Sequence, residues 1–121
     1  MKGLIIRQPH IGKILDGEKT WEMRSGPTKI RGRIALIEAG SGLIVGEASI
    51  VDCIKPYLDT YIDKWKHASK HRVSVENFHK LDRWCWAWVL SDAIKYDKPI
   101  PYDHPKGAVI WVNLELEAKT P

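Results

Sequence analysis

"RIALIEAGSGLIVGEASIVDC", residues 33–53, decides the architecture. Two runs rich in apolar and β-branched residues, 33–39 and 43–53, flank Gly40-Ser41-Gly42. Three small residues permit a tight reversal, so the stretch predicts an antiparallel hairpin. Gly46, inside the second run, marks a bulge or a close approach by another backbone.

Working outward, "KGLIIR" (2–7) predicts a short buried strand. The period then changes. Pro9 fits the first turn of a helix, Ile11, Ile14 and Leu15 share one face, and Gly17 stops it. A helix of barely two turns needs tertiary packing to hold it. "TWEMR" (20–24) returns to an extended chain, and "SGPTKIRG" (25–32) is a basic, turn-rich loop. Downstream, "YIDKWKHASKH" and "VSVENFHKL" predict helices, with Ser74 as a cap and Phe78 and Leu81 facing inward. "WCWAWVLSDAI" (84–94) predicts a strand with Trp84, Trp86 and Trp88 on one face and Cys85, Ala87 and Val89 on the other. "KYDKPIPYDHPKG" (95–107) has three prolines in seven residues and is not a central strand. "AVIWVNLELE" (108–117) alternates cleanly and predicts a closing strand.

The tally is about six strands and two or three short helices, with no repeat and no linker. That is an α+β chain folded as a small, mostly antiparallel β-barrel. A length of 121 residues leaves room for one core, so the expected organisation is one domain over residues 1–121. No apolar run approaches the roughly 20 residues that span a bilayer, and the N-terminus lacks the pattern of a signal peptide. Cys53 and Cys85 sit in strand-like runs and read as reduced thiols, which makes the cytoplasm the expected compartment.

The net charge is +4 and unevenly placed. Residues 1–35 carry eight Lys or Arg and three acids; the remainder carries eleven against twelve. A basic field confined to one third of the chain suits an anionic partner such as a nucleotide or RNA, or else a solubilising surface. Within that third lies "GEKTWEMR" (17–24). In an extended chain Thr20, Glu22 and Arg24 share a face opposite Trp21 and Met23, with Lys19 at the head of the row. A carboxylate beside two cations stays ionised and orients them. A lysine drawn into a closed pocket loses pKa and serves as a base. The bland alternative is an exposed strand face with weak ion pairs.

Arg7, Gln8 and Pro9 stand at a strand end before a helix and offer a fork donor and an amide able to read a base edge. Lys29, Arg31 and Arg33 add a basic cluster suited to phosphates. His10 is either an acid–base group or a helix-end residue. Trp21 either flanks a ligand or anchors its strand, and the Trp84/Trp86/Trp88 stripe is either core or a stacking platform. Asp63, His67 and His71 fall on one helical face, yet no H-E-x-x-H or cysteine pair accompanies them, so no metal and no cofactor are expected.

The order R-Q-P, G-x-K-x-x-E-x-R, "RGRIALIEA", "IVGEASIVDC", "WAWVLSD", "KPIP" and "KGAVIW" resembles the ASCH domain family, related to PUA-like RNA-binding domains. The resemblance implies a compact β-barrel and a cleft near the second motif, which falls on Gly17, Lys19, Glu22 and Arg24. It links the chain to RNA or modified-nucleoside chemistry. Some small bacterial members hydrolyse N4-acylated cytidines. The chain is similar to these at Lys19 but carries Glu22 and His71 where they carry a threonine and an acid. Other members are associated with ribonuclease activity. The leading expectation is therefore a cleft for a nucleobase or single-stranded RNA. Lys19, Glu22 and Arg24 line it, Arg7, Gln8, Pro9, His10 and Trp21 surround it, and Lys29, Arg31 and Arg33 meet phosphates. The alternative is a hydrolase with Lys19 as base, Glu22 activating water and Arg24 holding the anion, aided by a Thr20 or Ser41 hydroxyl. An interaction module built on exposed tryptophans ranks last.

Overall fold

A computed structural model describes residues 1–117. The predicted hairpin forms between β3 (Gly32–Glu38) and β4 (Leu43–Ile54), closed at Glu38↔Leu43. β3 buries both faces. Ile34 and Leu36 join one apolar cluster, and Ala35 and Ile37 another. A continuous apolar run is what a strand covered on both sides requires.

Four further strands extend the hairpin: β1 (Lys2–Ile6), β2 (Trp21–Arg24), β5 (Trp86–Pro101) and β6 (Trp111–Asn113). Their order is β2-β5-β4-β3-β1-β6. Only β1 and β3 run parallel; every other pairing is antiparallel. The sheet curls into a half-barrel. Trp88 of β5 stacks on Trp111 of β6, with ring centroids 5.8 Å apart and planes at 12°. The Arg24 guanidinium of β2 donates to the Ile5 carbonyl of β1 at 2.8 Å. The α+β, PUA-like barrel expected from the sequence is the observed fold, with the barrel left half open.

α1 (His10–Leu15) plugs the concavity with Ile11 and Ile14. Gly46 allows the fit, because a Cβ there would lie 2.3 Å from the Ile94 carbonyl oxygen and 2.5 Å from Leu15 Cδ2. The other face of β2 and β5 is covered by a 3₁₀ helix (Val75–Asp82). Phe78 and Leu81 pack there with Trp21, Met23, Leu58 and Ala87.

Four local expectations are corrected. β5 continues through the proline-rich segment to Pro101, opposite Leu43 and Ile44. β2 covers only Trp86–Val89, so this half of β5 has a free edge. The Tyr102 N–H points to Gly42 of the turn before β4, so Pro99 and Pro101 direct their missing donors to the open side, where no ladder bond is lost. β6 is three residues long rather than ten, because it pairs only with Lys2–Leu4 of β1. Val109 and Ile110 are exposed. The stretch predicted as one helix before His71 breaks at His67 into α2 (Tyr61–Lys66) and α3 (Ala68–His71). Asp63, His67 and His71 therefore share no helical face, and no metal-binding cluster exists among the described residues. Ser74 holds the N-cap position without capping; its hydroxyl accepts from the Asn77 side-chain amide at 2.9 Å. Cys53 and Cys85 are unpaired thiols. No helix among the described residues is long and apolar enough to cross a membrane.

Candidate functional site

The curled sheet leaves a cleft of about 1140 Å³ between β2, α1, the 3₁₀ helix and the segment before β6. That exceeds the roughly 300–1,000 Å³ of ordinary small-molecule pockets, so it has room for more than a single base. Alternation along β2 builds its floor. Trp21 and Met23 turn into the core, while Glu22 and Arg24 line the cleft beside their cross-strand partners Trp88 and Trp86. Glu22 Oε2 accepts from Arg24 Nε at 3.0 Å and from a terminal guanidinium nitrogen at 2.8 Å. The same guanidinium lies 5.4 Å from the Trp88 ring centroid.

Lys19 enters from the turn after α1 and is only 2% exposed. Its amine donates to the His71 carbonyl. Burial pushes its pKa down to about 8; Glu22 opposes the shift and Lys13 adds to it. His10 is held down to about 4, first by burial and then by the fields of Lys19, Lys13, Arg24 and Lys80. At neutral pH its ring is uncharged, and its Nδ1 is buried without a hydrogen-bond partner among the described residues. Among the described residues six Lys or Arg side chains (Arg7, Lys13, Lys19, Arg24, Arg72 and Lys80) line this cleft against one carboxylate, Glu22. Trp84, 41% exposed, adds an aromatic wall.

The structure thus brings Arg7, Pro9, His10, Lys19, Glu22 and Arg24 to one cavity. It places the other sequence candidates elsewhere. Gln8 turns outward, donating to Glu38 at 2.7 Å and accepting from the Gly12 N–H at 3.2 Å. Trp21 is core, its ring tilted 34° against His67 with centroids 5.1 Å apart. Arg33 pairs with the fully buried Glu47 at 2.7 Å. Arg31 folds back on the Thr28 and Ile30 carbonyls, and Lys29 is exposed outside the cleft. Ser41 caps the hairpin turn through the Glu38 carbonyl, and Thr20 is exposed outside the cleft. The tryptophan stripe divides: Trp88 is core-facing and lines the cleft, Trp86 packs beside it, and Trp84 lies before β5 and partly exposed.

Sequence reasoning missed Lys13, Arg72, Lys80 and Trp111. Lys13 was accessible, standing three residues after His10 on a helix. Arg72 and Lys80 carry no local signal, since they meet the cleft only through tertiary packing.

The sequence profile of the ASCH domain family matches residues 4–100. Among curated proteins none matches. The solved structure of ASCH from Zymomonas mobilis superposes with a TM-score of 0.65 at 16% identity, over 83% of this chain and 72% of that chain. A serine-to-alanine variant of that protein gives 0.67 at 17% identity, over 93% and 87%. A tyrosine-to-phenylalanine variant gives 0.63 at 17% identity, over 83% and 74%. The profile match over most of the length places the chain in the ASCH domain family, and the solved structures share its fold.

Proposed function

We propose that the cleft binds a nucleoside, a nucleotide or a short single-stranded RNA segment. The observation that supports this most is the six-to-one excess of cations over carboxylates around a cavity walled by Trp84 and Trp88. Aromatic faces stack bases without demanding a sequence, and cations meet phosphates. Glu22, oriented by Arg24, is the group available to a base edge. Phosphates meet Arg7, Lys13, Arg72 and Lys80 rather than the Lys29–Arg33 loop. The unpaired thiols of Cys53 and Cys85 fit a reducing compartment, so the cytosol is the proposed location. The test is binding of labelled single-stranded RNA and of a nucleoside panel across a salt series. Two or three phosphate contacts predict a log–log slope of about −1.4 to −2.1 for RNA, at roughly 0.7 per contact. A flat salt response, with no nucleoside raising the melting temperature, sinks the proposal.

A second reading has one specific observation behind it, the depressed pKa of Lys19. An amine near pKa 8 is partly neutral at physiological pH and able to take a proton. In this reading Lys19 is the base of a hydrolase acting on RNA or an N4-acylated cytidine, and Arg24 steadies the developing anion. Ser25, Thr28 and Ser74 are the hydroxyls among the described residues that line the cavity. Incubation with N4-acetylcytidine and with labelled RNA decides it. Turnover must vanish in Lys19→Ala; equal product from variant and parent rules it out.

A further inference from the structure

The cations of the cleft differ in how they are balanced. Arg24 of β2 is neutralised by Glu22 at 2.8 Å. Lys13 of α1, Arg72 beyond α3 and Lys80 of the 3₁₀ helix line the same cavity from three separate elements. The Lys13 amine donates to the Arg72 carbonyl at 3.2 Å, which keeps the two residues adjacent. Among the described residues neither Lys13 nor Lys80 has an ion-pair partner. Arg72 has a loose contact, 3.6 Å to Glu18, with both side chains more than 40% exposed. His10 lines the same cavity, within the fields of Lys19, Lys13, Arg24 and Lys80, and its Nδ1 has no partner among the described residues.

Like charges collected without a counter-charge repel one another, and an anion is the component that relieves them. Three cations exceed the single charge of a phosphodiester. A phosphate monoester carries about −1.5 to −2 near neutral pH and presents three acceptor oxygens. Resting on the nucleotide reading above and deepening it, we infer that Lys13, Arg72 and Lys80 form a subsite for a phosphate monoester. Its source is a nucleotide's terminal phosphate, the phosphorylated end of an RNA strand, or free phosphate. Lys80 and Arg72 hold the oxygens, Lys13 closes the ring of charge, and the His10 Nδ1–H donates the remaining hydrogen bond.

Calorimetric titration of the full chain at fixed ionic strength tests this. The probes are the four ribonucleosides, their 5′- and 3′-monophosphates, dinucleoside monophosphates and inorganic phosphate. At least one monophosphate binds about tenfold or more tightly than its nucleoside, a difference of about 1.4 kcal/mol. The diester of the dinucleoside gains less. In Lys80→Ala and Arg72→Ala, both exposed positions where folding is checked by circular dichroism, the ratio of nucleoside to monophosphate Kd falls towards one. A ratio near one in the parent protein, with nucleosides bound, overturns the subsite and leaves the nucleobase reading standing. A ratio that survives both substitutions also overturns it. Binding of inorganic phosphate, weakened by both substitutions, with no nucleoside bound supports the subsite and overturns the nucleobase reading. Absence of any binding overturns both.

Discussion

Both ring nitrogens of His71 are committed. Nδ1 accepts from the Val73 N–H at 2.9 Å, so the neutral ring donates from Nε2 to the Lys64 carbonyl at 2.8 Å. Its own carbonyl accepts from Lys19. One fully buried residue therefore ties α2, the 3₁₀ helix entry and the cleft lysine together. His71→Ala leaves two backbone groups unpaired and a cavity, and is expected to cost about 2–4 kcal/mol in urea denaturation. The pH response follows from the same burial. His10 and His71 both sit below the ordinary imidazole pKa, chiefly through desolvation. The unfolded chain then binds protons that the folded chain refuses, so stability falls as pH drops from 6.5 towards about 4. Lys19 has the same sign in a higher window, and its contribution rises with pH from about 8 to 10.5. Urea midpoints at pH 7.5 and 5 check the lower window: His10→Asn loses less on acidification than the parent. An equal loss in both contradicts the assignment to His10.

At the scale of elements, the short helices are held by contacts rather than by length. α1 has six residues, too few to persist alone, and survives because Ile11 and Ile14 are buried under the sheet. Gly46 is the position that lets α1 and β5 approach β4. Gly46→Ala forces its Cβ against a backbone oxygen that cannot rotate away, and the expected loss is about 3 kcal/mol, with β4–β5 amides exchanging faster. α2 offers the contrast. Thr60 and Asp63 form a capping box, each side chain bonding the other's backbone N–H. Thr60→Ala should cost only about 1 kcal/mol, because a cap serves one helix end whereas Gly46 serves a three-element junction. A smaller effect at Gly46 than at Thr60, by thermal or chemical denaturation, contradicts this ranking.

At the scale of the whole molecule, the half-barrel is drawn together where β2 meets β1. Arg24 carries that contact, bonding Glu22, the Ile5 carbonyl and the face of Trp88 at once. Arg24→Met removes the partner of a carboxylate only 8% exposed, so the expected destabilisation is about 3 kcal/mol, together with a wider cleft. Glu22→Gln combined with Arg24→Met should recover part of that loss, because no buried charge is then left alone; a double-mutant cycle reads the coupling directly. An additive cycle means that the pair does not close the barrel.

How much of this was legible in the sequence follows from range. The hairpin, the two-turn helix, the face alternation of β2 and the grouping of Lys19, Glu22 and Arg24 in one short stretch all depend on spacings of a few residues, which periodicity reports. The length of β5 and the brevity of β6 were illegible, because each depends on which neighbour lies alongside. Pro99 and Pro101 are excluded from a strand interior and tolerated on a free edge, and only the sheet order says which applies. The cleft divides in the same way. The sequence by itself determined the strand that carries Glu22 and Arg24 and the basic excess of the N-terminal third. The tertiary structure alone decided that Arg33 and Gln8 face elsewhere while Arg72 and Lys80, roughly forty to seventy positions further on, face in. Local spacing sets which way a side chain points from its own element, but only the curl of the sheet sets what it points at.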